Sequence, residues 1–362
     1  MLDNQKLSRL QFCILVLLYT VGTSILVIPP SLVSIAKQDV WISLIFGLVI
    51  GLLLVSLYNV IANTFPNYTL FEINEKVLGK WVGKAVSCLF FCFTLLLSSL
   101  VLRNIGDFMV TQVMPETPIA FIHALVLIAV IFGSRLGLKV IGRTSEVFLP
   151  WVFLFFFILI AFNLHNVEIT NIQPVFKQNT KSILRASSVF IGVPFLELVT
   201  FLMIHPFVNC PKSSRKGLLI GTLIGGLMII TITIMSILVL GVDVTSRTAY
   251  PSYVLGKKIN IGGFLERFEV IVALLWIFSS YFKLIILFYV TAVGISKTLG
   301  TMDYRSLLFP MGLILMALSI IVYPNGPYVQ SFVSNTWPPF AATFGLFFPL
   351  ILLIVAKFRK KN

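Results

Sequence analysis

Apolar residues run along this chain in long stretches of about twenty, each closed by charge, glycine or proline. A helix of that length rises about 30 Å, the thickness of a bilayer's hydrocarbon core. The stretches fall at 11–35, 40–63, 84–106, 118–134, 146–163, 183–206, 217–241, 266–297, 305–323 and 338–357. Inside hydrocarbon every backbone polar group must be paired within the protein, so each stretch is expected to be helical. The eighth is long enough to imply tilt or extension beyond the bilayer. The pattern predicts an all-α integral membrane protein of ten transmembrane helices, one transmembrane domain over 1–362.

Two stretches are interrupted. The first contains Val21-Gly22-Thr23-Ser24 and ends in Pro29-Pro30; the sixth contains Ile191-Gly192-Val193-Pro194 and ends near Pro206. Glycine weakens a helix and proline removes a backbone donor, so both should break near the midplane. They open a first set of five helices (11–163) and a second (183–357). Five is odd, so the sets enter the membrane from opposite sides as inverted repeats. Interrupted helices at matching positions of two such halves point to a transporter-type binding site.

Composition agrees: 58% of the residues are hydrophobic and only 11% charged, against about a quarter charged in soluble domains. A net charge of +14 invites a nucleic-acid reading, which the distribution excludes. The basic residues sit in short loops between apolar stretches, where they act as topology signals. Lys6, Arg9, Lys76, Lys80, Lys84, Arg135, Lys139 and Arg143 fall on one side, as do Arg215, Lys216, Lys297, Arg305, Lys357 and Arg359; the short loops opposite hold only Lys37. Both termini are therefore expected in the cytoplasm, with Trp41 and Trp337 as aromatic anchors at the outer boundary. No small-residue cleavage site follows the first stretch, which reads as a retained helix. Cys13, Cys88 and Cys92 read as small packing residues, and Cys210 as a loop residue.

No catalytic constellation, phosphate loop or metal-ligand spacing stands out, so neither an enzyme nor a cofactor is expected. The intramembrane charges are more informative. Glu197 follows Pro194 by three residues and is expected to accept amides freed at the break. Lys283 lies about 20 Å by helical rise from both Glu269 and Lys297, hence near the midplane. An isolated ammonium there costs roughly 3 kcal/mol on insertion scales, so it must be paired or sit neutral. Glu197 is the best partner, and the pairing would hold the two halves together. Arg103 and Asp107 read as an interfacial pair one turn apart. Ser98, Ser99, Ser279 and Ser280 fall at midplane depth. A small ligand is expected between the two breaks, on backbone groups of Gly22, Thr23, Gly192 and Val193, with those serines as walls and Glu197 and Lys283 beside it.

The architecture resembles the LeuT-like amino acid–polyamine–organocation transporter superfamily, and within it the B subunits of bacterial spore germinant receptors. The matching residues are Lys6-Leu7-Ser8-Arg9-Leu10-Gln11, Gly22-Thr23 through Pro29, and Pro194 with Glu197. Tyr250-Pro251, Glu266-Arg267-Phe268-Glu269 leading to Trp276, and the basic tail complete the set. The resemblance implies a spore inner-membrane protein that works with an A subunit and a lipoprotein C subunit. It would bind a small nutrient ligand, such as an amino acid, and signal germination. Lys283 departs from a purely apolar amino-acid pocket. The competing reading is an ion-coupled secondary amino acid transporter.

Overall fold

A computed structural model of the chain describes residues 6–209, 211–259, 268–300 and 303–359. Ser8 opens the first helix with a reciprocal cap: its hydroxyl accepts Gln11 N–H, and Gln11 Oε1 accepts Ser8 N–H. This fixes the start of α1 (Arg9–Val21), which gives way to α2 (Ser24–Ala36). The next helices are α3 (Val40–Thr64), the short α4 (Leu70–Leu78), α5 (Lys80–Phe108), α6 (Ile119–Leu136) and α7 (Leu138–Asn163). The sixth span is α8 (Thr180–Phe190), a π-turn (Ile191–Phe195) and a 3-10 segment (Leu196–Met203). α9 (Pro211–Arg247) bends at Gly241, and α10 (Pro251–Lys258) precedes α11 (Glu269–Leu299) and α12 (Arg305–Ile321). The last span is α13 (Gly326–Ser331), α14 (Trp337–Ala342) and α15 (Phe348–Arg359), joined by π-turns.

Eight helical stretches among the described residues are long and apolar enough to cross a membrane. One of them, Ser24–Thr64, joins α2 to α3, so α1 with α2 makes the first span and the shorter α12 the ninth, for about ten crossings. Phe132, Trp151, Phe157 and Phe309 point outward, more than half exposed, as side chains solvated by lipid must. Cys88 and Cys92 also face outward rather than packing inside; Cys210, Glu266 and Arg267 lie outside the described residues.

The tenth span begins at Gly326, well before the expected 338. Asn325 caps it by accepting Tyr328 N–H, and Pro327 fits the first turn, where no N–H is needed. Trp337 is therefore inside the span and only 2% exposed, not an anchor at the boundary.

α1, α2, α3, α8 and α9 pack on one another, while α5, α6, α11 and α12 form a second cluster. Gly221 lets α9 lie directly on α1: a Cβ there would come within 2.5 Å of Cys13 O. One end of the bundle gathers both described chain ends. There Leu7 N–H bonds to Phe207 O at 2.7 Å, Asn209 N–H to Leu7 O at 3.0 Å, and Arg359 to Lys76 O at 3.3 Å. α4 is tied to α11 at the same end by Lys297 and Glu72, 2.8 Å apart. At the opposite end the buried Asp39 carboxylate accepts Phe176 and Gln178 N–H, each at 2.7 Å.

Candidate ligand pocket

At the first break Gly22 takes φ 22°, ψ −126°, a conformation that L side chains rarely adopt. Its N–H closes α1 on Leu18 O at 2.8 Å. Its carbonyl turns toward α11, 3.4 Å from Ser279 Oγ. In the sixth span Pro194 cannot donate, and the chain widens into the π-turn before tightening into eight residues of 3-10 helix. That change of pitch carries Glu197 into the interior, where it is 1% exposed.

Lys283 meets it there. Lys283 Nζ lies 2.6 Å from Glu197 Oε2, with the two side chains 0% and 1% exposed. The other carboxylate oxygen accepts Trp337 Nε1–H at 3.0 Å. Lys283 also donates to Thr23 Oγ1 at 3.4 Å and stands 5.3 Å over the Tyr19 ring. Tyr19 hydroxyl in turn reaches Glu197 O at 3.3 Å. Two charges out of water are tolerated when paired closely and bonded on their remaining faces, and both conditions are met. Two expectations are corrected. The Glu197 carboxylate caps no backbone amide among the described residues, because Lys283 and Trp337 occupy it. The pair also does not join the two sequence halves: both residues follow residue 183, and they tie the α8–α9 cluster to the α5–α11 cluster.

Glu197 forms the floor of a small cavity of about 30 Å³, walled by Thr23, Leu97, Val101, Val193, Phe332 and Trp337. That is room for a few waters at most and for no amino-acid-sized solute, so the pocket is narrow in this state. Past Val27, Asn104 and Val329 it meets a wider vestibule of about 240 Å³. Thr23, Val193 and Glu197 line the small cavity, while Lys283 stands behind Glu197. Gly22 borders Lys283, and Gly192 packs against the last span, where a Cβ would lie 3.1 Å from Pro338 Cα. Ser98 and Ser99 bond back to Thr94 O and Leu96 O, each at 2.7 Å, and Leu97, Leu100 and Val101 present the wall instead. Ser280 Oγ is buried with no partner among the described residues. The last span's wall was not anticipated; its signal was the Asn325-Gly326-Pro327 start.

Residues 6–326 match the model of a family described as Spore germination protein. The chain belongs to that family. Among spore germination proteins, Spore germination protein KB of Bacillus subtilis (strain 168) is 30% identical over 367 residues, covering 100% of this chain and 97% of that protein. Spore germination protein YndE of the same organism is 24% identical over 361 residues, covering 99% and 98%. The structure of Mhp1, a nucleobase-cation-symport-1 family transporter in a closed conformation with bromovinylhydantoin bound, superposes with TM-score 0.68 at 10% identity. It covers 94% of this chain and 78% of that one. MhsT in complex with L-phenylalanine superposes with TM-score 0.56 at 13% identity, covering 97% and 98%. This spore germination protein thus has the LeuT-like fold of inverted five-helix repeats with broken helices one and six.

Proposed function

We propose that this chain is the nutrient-sensing B-type subunit of a spore germinant receptor. It holds a small solute, such as an amino acid, over Glu197 and signals to an A subunit and a lipoprotein C subunit. Its membrane is the spore inner membrane, with both termini in the cytoplasm, in keeping with the basic residues gathered at the end that holds both described chain ends. The observation that carries the reading is the narrow pocket whose floor is Glu197, held from behind by Lys283. A solute entering it must part the walls and contact Glu197, which ties the two helix clusters. It therefore biases their equilibrium by its differential affinity for the closed and open arrangements.

The second reading, an ion-coupled secondary transporter, is favoured by the likeness to Mhp1, itself described as a cation-symport family transporter. Vesicles reconstituted with the protein separate the two. Saturable binding of a radiolabelled amino acid without accumulation supports the sensor; gradient-driven accumulation overturns it in favour of transport.

A further inference from the structure

The vestibule of about 240 Å³ is more polar than a passage requires. It is walled by Ser31 of α2, Asn104 and Asp107 of α5, Arg247 at the end of α9, and Tyr250 and Tyr323. Arg247 is exposed and pairs with no carboxylate among the described residues. Asp107, on a different element, is held in place rather than spent. Its Oδ1 accepts Arg103 Nε–H at 2.9 Å and its Oδ2 accepts Tyr323 O–H at 2.7 Å. Each oxygen keeps a second lone pair. Arg103 is fixed in turn by donating to Ile320 O at 2.7 Å. Ser31 is 1% exposed, and its hydroxyl has no partner among the described residues although it lines the cavity. A buried hydroxyl left unpaired calls for a partner.

We infer that the vestibule is a second ligand site, distinct from the pocket over Glu197, for a small zwitterion carrying both a carboxylate and an ammonium. The planar fork of Arg247 takes the carboxylate in two parallel bonds. The ammonium donates to Asp107, whose orientation is set in advance by Arg103 and Tyr323. Ser31 gains the partner it lacks. The volume suits a solute of amino-acid size, whereas the inner cavity, at about one-eighth of it, admits none without rearrangement. The site stands on its own groups and would exist whether the inner pocket senses or transports.

The test is equilibrium dialysis of tritiated glycine, L-alanine and L-valine against the full-length protein in lipid nanodiscs. The wild type is expected to hold two molecules per chain of the best probe. Arg247→Gln should weaken the outer site by tenfold or more and leave one, and Arg247→Lys should fall between. Val193→Trp, which fills the inner cavity, should leave one molecule whose binding disappears on adding Arg247→Gln. If Val193→Trp changes nothing while Arg247→Gln removes all binding, the vestibule stands and the inner pocket falls. The vestibule site is overturned if Arg247→Gln leaves the wild-type stoichiometry and affinity, or if no probe binds the wild type at 10 mM, chosen as about a hundredfold above a weak Kd of roughly 0.1 mM.

Discussion

A Cβ on Gly22 would stand 2.6 Å from Cδ of Lys283 and 2.8 Å from the Tyr19 carbonyl oxygen. The bare α-carbon is what lets the lysine stem cross the helix break and reach Glu197. Gly22→Ala should therefore push the stem away and strain a residue held at φ 22°. A loss of about 1–3 kcal/mol is expected, read as earlier thermal unfolding in nanodiscs together with a weakened nutrient response. Unchanged stability and response would refute the close approach.

Lys283→Met leaves a carboxylate buried without its cation, at a cost of about 3–5 kcal/mol. Adding Glu197→Gln removes the orphaned charge, so the double variant should recover part of that loss. A double-mutant cycle on unfolding measures the coupling. In the double variant, with protein level restored, a shifted germination threshold marks the pair as part of the response. A wild-type threshold would reduce it to a structural brace.

Trp337→Phe keeps a ring beside Phe93, whose plane it parallels within 14°, but deletes the N–H that holds Glu197 Oε1. Hydrogen bonds to charged groups contribute about 1.5–3 kcal/mol. The variant should lose stability within that range and bind the nutrient about tenfold differently, as isothermal calorimetry would show. Indifference on both counts would make the indole a space-filler.

At the end of the bundle that holds both described chain ends, Glu72 lies outside the membrane spans. Burial pushes its carboxyl up, but bonds from Lys297 and Thr69 outweigh this and hold it below its ordinary value of 4.5. A carboxyl with a lower pKa folded than unfolded contributes stability above its unfolded value, and that contribution is lost as pH falls through the folded one. The stability gap between wild type and Glu72→Gln should thus be flat from pH 8 down to about 5 and shrink below about 4.5. It should also be small, under about 1 kcal/mol, because the Glu72 side chain is 41% exposed. A gap that widens in acid contradicts the assignment.

The membrane class, the spans and the two interruptions were legible because bilayer thickness and backbone pairing leave few alternatives. The Lys283–Glu197 contact was legible for a related reason: a midplane ammonium needs an anion, and few lie at that depth. What escaped was rotational. Ser98 and Leu97 are neighbours in sequence, yet which of them faces the pocket depends on how α5 is turned against the last span. Hydroxyls that bond back to their own helix, as Ser98 and Ser99 do, carry no mark separating them from hydroxyls that wait for a ligand. Trp337 was misplaced because apolarity sets a span's centre better than its start, and the cap at Asn325 lies well before the strongly apolar run.

Because Lys283 and Glu197 neutralise each other at 2.6 Å, the seam between the helix clusters carries a dipole and no net charge. A lone lysine dragged across the bilayer would exchange about 2.3 kcal/mol per 100 mV with the membrane potential. The two charges moving together exchange almost none. A rearrangement that keeps this pair together therefore draws almost no energy from the membrane potential through these two charges.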